Sequence, residues 1–245
     1  MNIKLTIQYD GTAYHGWQIQ KNAVTVQEVL TDAIKKITGE DVTVTGCSRT
    51  DTGVHARMYV CNFHTNASVP ADRYAYALNT HLPDDIVCLA SCETRENFHA
   101  NRDALKKRYE YKILNREFPD AVMCRYAWHV KQPLDLGKMR EAASAFLGEH
   151  DFIGFASSGF TVKTTVRTIY SLDVTREGDI ITIDVTGDGF LYNMVRIIAG
   201  TLVFCGGGKI DSADMIGIIA SKDRDRAGIT APAQGLCLRE VYYSE

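Results

Sequence analysis

With 245 residues, 45% hydrophobic and 23% charged, the chain has a globular composition that excludes whole-chain disorder and suits one large core or two small ones. A net charge of −3 excludes nucleic-acid binding driven by bulk attraction, so a polyanionic partner would have to meet locally concentrated Lys and Arg. No apolar run approaches a bilayer span, Met1 to Lys4 lead into a strand pattern instead of a signal peptide, and seven cysteines without a Cys-x-x-Cys pair disfavour a disulfide framework and a zinc site. A cytosolic chain with no membrane contact and no metal is expected.

Ile3, Leu5, Ile7 and Tyr9 alternate with polar residues, the period of a strand with one buried face. The loop Asp10 to Gln20 carries two glycines and two aromatics; it suits either presentation of stacking groups or a solvent loop anchored by a buried Trp17. Thr25 and Glu28 form a capping box, and Val26, Leu30, Ile34 and Ile37 recur at helical spacing up to Gly39. Val42 and Val44 then alternate with Thr43 and Thr45 into Gly46-Cys47-Ser48-Arg49-Thr50-Asp51-Thr52-Gly53-Val54-His55-Ala56, and an apolar run, Met58 to Phe63, leads out. Gly46 and Gly53 permit the dihedrals and close approach that such a turn needs. On local chemistry Asp51 has two readings, a turn residue bonded to its own backbone or a reactive carboxylate held by a rigid scaffold. A helix from Pro70 to Leu78 and a strand from Ile86 to Glu93 complete the order strand, helix, strand, strand, helix, strand, which is the ferredoxin-like split βαβ arrangement.

Arg95, Arg102, Lys106, Lys107 and Arg108 then concentrate positive charge ahead of a strand whose Tyr109, Tyr111 and Ile113 share one face. Asp135 caps a helix with the stripe Leu136, Met139, Ala143, Phe146 and Leu147, closed by Gly148. After the small-residue loop Asp151 to Gly159, the runs Ile169 to Thr175 and Ile180 to Thr186 read as a hairpin across Glu177-Gly178. Leu191, Met194, Val195, Ile198 and Leu202 mark a helix stopped at Gly206 to Gly208, with Arg196 in its early turns. A short helix near Asp214 to Ser221 and a strand from Leu236 to Tyr242 close a second set of elements ordered like the first. Expected halves are therefore 1–100 and 101–245, the second with an insertion.

Seven ordered blocks carry a resemblance. Tyr9-Asp10-Gly11-Thr12 with Gly16-Trp17-Gln18, and Arg49-Thr50-Asp51 with Gly53 to Ala56, are joined by Leu78-Asn79 with Leu82 to Ile86, by Lys107 to Tyr111, and by His150 to Phe152 with Phe155. Thr165 to Ile169 and Gly189 to Leu191 with Met194 to Arg196 complete the set. Together they resemble the tRNA pseudouridine synthase A family over nearly the whole chain. Departures stand at Cys47, Ser48 and Thr52, where the family pattern has alanine, glycine and alanine; Ser48 would be strained if that position needs a positive φ.

The resemblance implies an α/β pseudouridine synthase fold in which two ferredoxin-like halves share a mainly antiparallel sheet and leave a central cleft. It implies isomerisation of uridine to pseudouridine at tRNA positions 38, 39 and 40 in the anticodon stem-loop, without a cofactor, by a homodimer that binds one tRNA across both subunits. Asp51 is then the catalytic residue, attacking the uracil ring, attacking the ribose or abstracting a ribose proton. Arg196 would keep that carboxylate ionised and oriented, and Tyr109 would pack its ring on the target uracil. Arg49, Arg57, Arg102, Arg108 and Arg167 are candidate phosphate contacts; His55 joins them as a substrate-site position that shapes the motif loop. Two other classes fit parts of the pattern: a non-catalytic RNA-binding protein on paired ferredoxin-like domains, and a hydrolase using Asp51 with His55, which lacks an evident nucleophile or metal set.

Overall fold

The computed structural model describes residues 1–159 and 162–244. It forms two compact units, one of residues 1–105 with the terminal segment from Cys237, the other Lys106–Leu236.

The first unit runs β1 (Asn2–Tyr9), α1 (Val26–Thr38), β2 (Thr45–Gly46), β3 (His55–His64), α2 (Tyr74–Asn79) and β4 (Ile86–Thr94). Its strands lie in the order β4-β1-β3-β2 with every neighbour antiparallel, the split βαβ arrangement expected from the element order. The alternation read in β1 places Ile3, Leu5 and Ile7 fully inside. On α1 the Thr25 hydroxyl accepts the Glu28 N–H at 3.3 Å, Val26, Leu30, Ala33 and Ile34 form the buried stripe, and Gly39 closes the helix at φ 73°. The strand expected on the way into the Asp51 loop is much shorter than its alternation suggests. Only Thr45 and Gly46 pair, with Asn62 and Cys61, while Val44 is buried without joining the ladder.

The second unit contains β5 (Ala104–Leu114), within which the division of the chain falls, then β6 (Trp128–His129), α3 (Leu136–Ser144), β7 (Gly148–Asp151), β8 (Val166–Glu177), β9 (Ile180–Gly187), α4 (Met194–Gly206) and α5 (Met215–Ser221). The antiparallel order β5-β9-β8-β7 is extended by β6, parallel to β5. β8 and β9 make the expected hairpin, pairing Glu177 with Ile180 across a two-residue turn. In β5, Tyr109, Tyr111 and Ile113 are buried and Arg108, Glu110 and Lys112 half-buried, as the period of two requires. On α3 Met139, Ala142 and Ala143 are buried; past the helix end at Ser144, Phe146 is buried as well, whereas Leu147, expected in the stripe, is 44% exposed. α4 is apolar and buried along its length apart from Arg196 and Phe204, so Arg196 is the one charge on an otherwise core helix.

A last strand, β10 (Leu236–Tyr243), runs parallel to the start of β3 through Cys237↔His55 and Leu238↔Ala56. Cys47, Cys61, Cys88 and Cys205 are buried, in line with small apolar residues, whereas Cys92 and Cys124 are exposed. Among the described residues no helix is long and apolar enough to cross a membrane.

Candidate active site

Asp51 lies half-buried on a turn between β2 and β3, and the backbone around it is fastened from several sides within the first unit. Its own carbonyl accepts the Val54 N–H at 3.1 Å, with Gly53 at φ 79° completing the bend. The loop after β1 is the second fastening: Trp17 N–H donates to Thr50 O at 3.1 Å, Gly53 N–H donates to Tyr14 O at 3.3 Å, and Gly11 N–H donates to His55 Nδ1 at 3.0 Å. Tyr9 Oη and Thr50 Oγ1 share a buried hydrogen bond of 2.8 Å. Tyr59 donates to Ser48 O and stacks on Trp17 with centroids 4.2 Å apart. No side chain fits at Gly46, where a Cβ would stand 2.2 Å from the Tyr59 hydroxyl and 2.6 Å from the Trp17 ring. Trp17 is therefore a structural anchor, 2% exposed, and not a presented stacking surface. Burying an aromatic of that size contributes roughly 4 to 6 kcal/mol, which holds the two loops as one rigid body.

A third segment locks the outer side. Asp85, in the turn before β4, accepts the Tyr14 hydroxyl at 2.5 Å on its carboxylate and the Asp10 N–H at 2.9 Å on its carbonyl. Burial, and then the hydrogen bond to Asp85, push the Tyr14 phenol well above its ordinary range, so it stays a neutral donor. His55 is 7% exposed; its Nδ1 lies 3.0 Å from Gly11 N and 3.1 Å from Asp10 Oδ1, so the ring joins the two loops. Ser48 does not take a positive φ: the described non-glycine residues that do are Asn22, Asn193 and Lys222.

In the second unit, four of the separated blocks converge. Tyr109 is 5% exposed and meets Phe190 edge to face, centroids 5.2 Å apart. The Asp188 carboxylate accepts Thr168 N–H at 3.0 Å while its N–H donates to Thr168 O at 3.1 Å, stitching the block around Arg167 to the one around Phe190. Arg196, half-buried, donates from Nε to Ala231 O and from Nη1 to Asn193 Oδ1, each at 2.7 Å. Asp151 accepts from Thr165 Oγ1 at 2.5 Å and from Lys222 Nζ at 2.8 Å. Lys222 and then Thr165 hold its carboxyl below the usual range. Its contribution to stability is complete above the unfolded aspartate pKa near 4 and is lost as pH falls through the lower folded value. Asp151→Asn should therefore flatten the acid limb of the stability curve, read by urea midpoints from about pH 5 downward.

A sequence model described as tRNA pseudouridine synthase matches residues 5–101 and 142–244. Curated relatives named tRNA pseudouridine synthase A are 52% identical in Thermoanaerobacter sp. (strain X514), over 99% of each chain, and 55% identical in Acetivibrio thermocellus, again over 99% of each. The chain belongs to the tRNA pseudouridine synthase family. A solved structure titled as a Cbf5-Nop10-Gar1 complex is similar at TM-score 0.41 and 13% identity, over 96% of this chain and 48% of that one.

Of the positions picked out by sequence, Asp51, Arg49, His55 and Arg57 lie on or beside the fastened loop, with Arg49 and Arg57 exposed, and Arg102 is exposed further along the same unit. Tyr109, Arg108, Arg167 and Arg196 lie in the second unit. Two of the arginines already have strong partners. Arg108 forks onto Asp184 with contacts of 2.8 to 3.0 Å, and Arg167 Nη1 donates to Thr164 O at 2.9 Å and Val166 O at 2.6 Å. The basic run is further thinned by the Arg95–Asp103 pair at 2.7 Å. Sequence reading overlooked the segment Ala231 to Gly235. Ala231 O receives Arg196, Pro232 O receives the Tyr111 hydroxyl at 2.7 Å, and a Cβ on Gly235 would stand 2.6 Å from the Tyr111 ring. Its signal is present as a run of small residues and proline, interrupted only by Gln234, ahead of the last strand.

Proposed function

We propose that this chain converts uridine to pseudouridine in the anticodon stem-loop of tRNA, with Asp51 as the reacting carboxylate. The observation that carries this reading is the Asp51 turn itself: family signature residues on three segments, Trp17, Thr50 and Asp85 among them, are used to immobilise a backbone that presents one half-buried carboxylate. Rigid presentation of a single charged group suits a reaction whose barrier depends on placing that group against one atom of a bound nucleotide.

The isomerisation breaks the bond from N1 to the ribose, turns the uracil and forms a bond from C5 to the same ribose carbon. The C5 proton leaves and N1 ends with a proton, so no net oxidation occurs. Asp51 serves in ionised form. Arg196 is its orienting partner and Tyr109 the surface on which the extruded uracil rests; stacking of this kind contributes roughly 1 to 3 kcal/mol. Exposed Arg49, Arg57 and Arg102 are the leading phosphate contacts, with Arg108 and Arg167 contributing charge from positions set by their protein partners. His55 keeps the loop in shape. The working form is a cytoplasmic homodimer spanned by one tRNA.

The test is incubation with tRNA transcript carrying tritium at uracil C5. Isomerisation releases the label, binding alone releases none, and hydrolysis yields fragments or free base; only the first outcome agrees with this reading. In the same assay Arg196→Ala should lower kcat by about 100-fold, the scale of losing one oriented charged partner, with KM for tRNA within about threefold of wild type. A defect confined to KM would assign Arg196 to phosphate binding.

A further inference from the structure

We propose that Asn193 is a positioning residue for Arg196, aiming its guanidinium for the isomerisation; this rests on the role given to Arg196 above. Asn193 precedes α4 in left-handed backbone, φ 61° and ψ 5°. A side chain that caps the first N–H groups of a helix usually does so from extended backbone, which this is not. The Asn193 side chain makes no such bond. It points away from the helix start, accepting from Arg196 Nη1 on Oδ1 at 2.7 Å and donating from Nδ2 to Ser157 Oγ at 2.8 Å.

The chemistry of the partners dictates that orientation. A guanidinium only donates, so the amide oxygen must face it and the amide nitrogen must face the serine. Arg196 is gripped from a second direction by Ala231 O at 2.7 Å, and Ala231 N–H donates back to Arg196 O at 3.1 Å. These two acceptors are neutral and restrict where the guanidinium points. Ser157 in turn is held by its N–H to Tyr192 O at 3.0 Å, so the support reaches back to the chain just ahead of the helix.

Backbone need and side-chain need separate here. At φ 61° glycine is as comfortable as asparagine, so Asn193→Gly keeps the helix entry and removes only the amide. We expect Asn193→Gly to lower kcat for tritium release by about 10- to 50-fold, with KM for tRNA and the melting temperature close to wild type. Ser157→Ala, which loosens the amide without removing it, should lower kcat by about two- to fivefold. In the Arg196→Ala background, single-turnover rates should show less than a twofold further loss from Asn193→Gly. Wild-type kcat in Asn193→Gly, a loss seen only in KM, or the same fold-loss in both backgrounds would each overturn the proposal. Failure of the underlying reading has a different signature: wild-type protein that releases no tritium, or an Arg196→Ala variant with full turnover, which overturns this proposal with it.

Discussion

Asp51→Asn should reduce tritium release from C5-labelled tRNA by about a thousandfold or more while leaving a folded protein that still binds tRNA. The size follows from removing the group proposed to do the chemistry, since acid–base or nucleophilic side chains typically contribute two to four powers of ten. Retention of the fold follows from how the turn is built. Val54 N–H to Asp51 O, Trp17 N–H to Thr50 O and Gly53 N–H to Tyr14 O are bonds between backbone groups, which an isosteric amide at position 51 leaves in place. Stopped-flow or endpoint tritium release, circular dichroism and a tRNA gel shift together check it. Turnover within tenfold of wild type would remove Asp51 from the reaction, and loss of tRNA binding would make the residue part of the binding surface.

Gly16→Ala should unfold the same site from a distance. Gly16 sits at φ 83°, and a Cβ there would be 2.3 Å from Thr50 O and 3.1 Å from the Asp51 carbonyl carbon, both main-chain atoms that cannot swing aside. Gly16 O accepts Val26 N–H at 3.2 Å and the next residue holds Thr50 O, so the clash cannot be relieved on one side without breaking a bond on the other. The left-handed backbone costs about 1 to 2 kcal/mol and the overpacking a similar amount, roughly 3 kcal/mol together. For a chain of this size that lowers Tm by about 6 to 12 °C, and the fraction that folds carries a displaced Asp51. Gly39→Ala is the matched comparison: φ is 73° but no atom lies within 4 Å of the added carbon, so only the backbone cost of about 1 to 2 kcal/mol applies. Equal Tm losses in the two variants would mean that the two loops are not pressed together as described.

What could be read ahead of the structure depended on how local each feature is. The alternation of Ile3, Leu5 and Ile7, the cap of α1 by Thr25 and the β8–β9 hairpin are decided by neighbours a few residues apart, and all three are present. Val42 to Thr45 show the same alternation and yet only Thr45 and Gly46 pair, because a ladder needs a partner strand and β3 offers one only opposite Cys61 and Asn62.

The site divides along the same line. Sequence by itself singled out one carboxylate for the proposal, since the block around Asp51 together with six others resembles one enzyme family, and it determined the small residues on which a tight turn depends. Only the tertiary structure decided what those residues are pressed against. That Trp17 anchors and does not stack on a substrate, that Asp85 holds Tyr14, that Arg108 is forked onto Asp184 and that Asn193 grips Arg196 are pairings between segments brought together by folding, or, for the last, a choice of side-chain direction that the backbone φ leaves open. Periodicity records which face of an element is apolar; the partner polar group across space is set by strand order and loop closure, and these leave no mark in the local pattern.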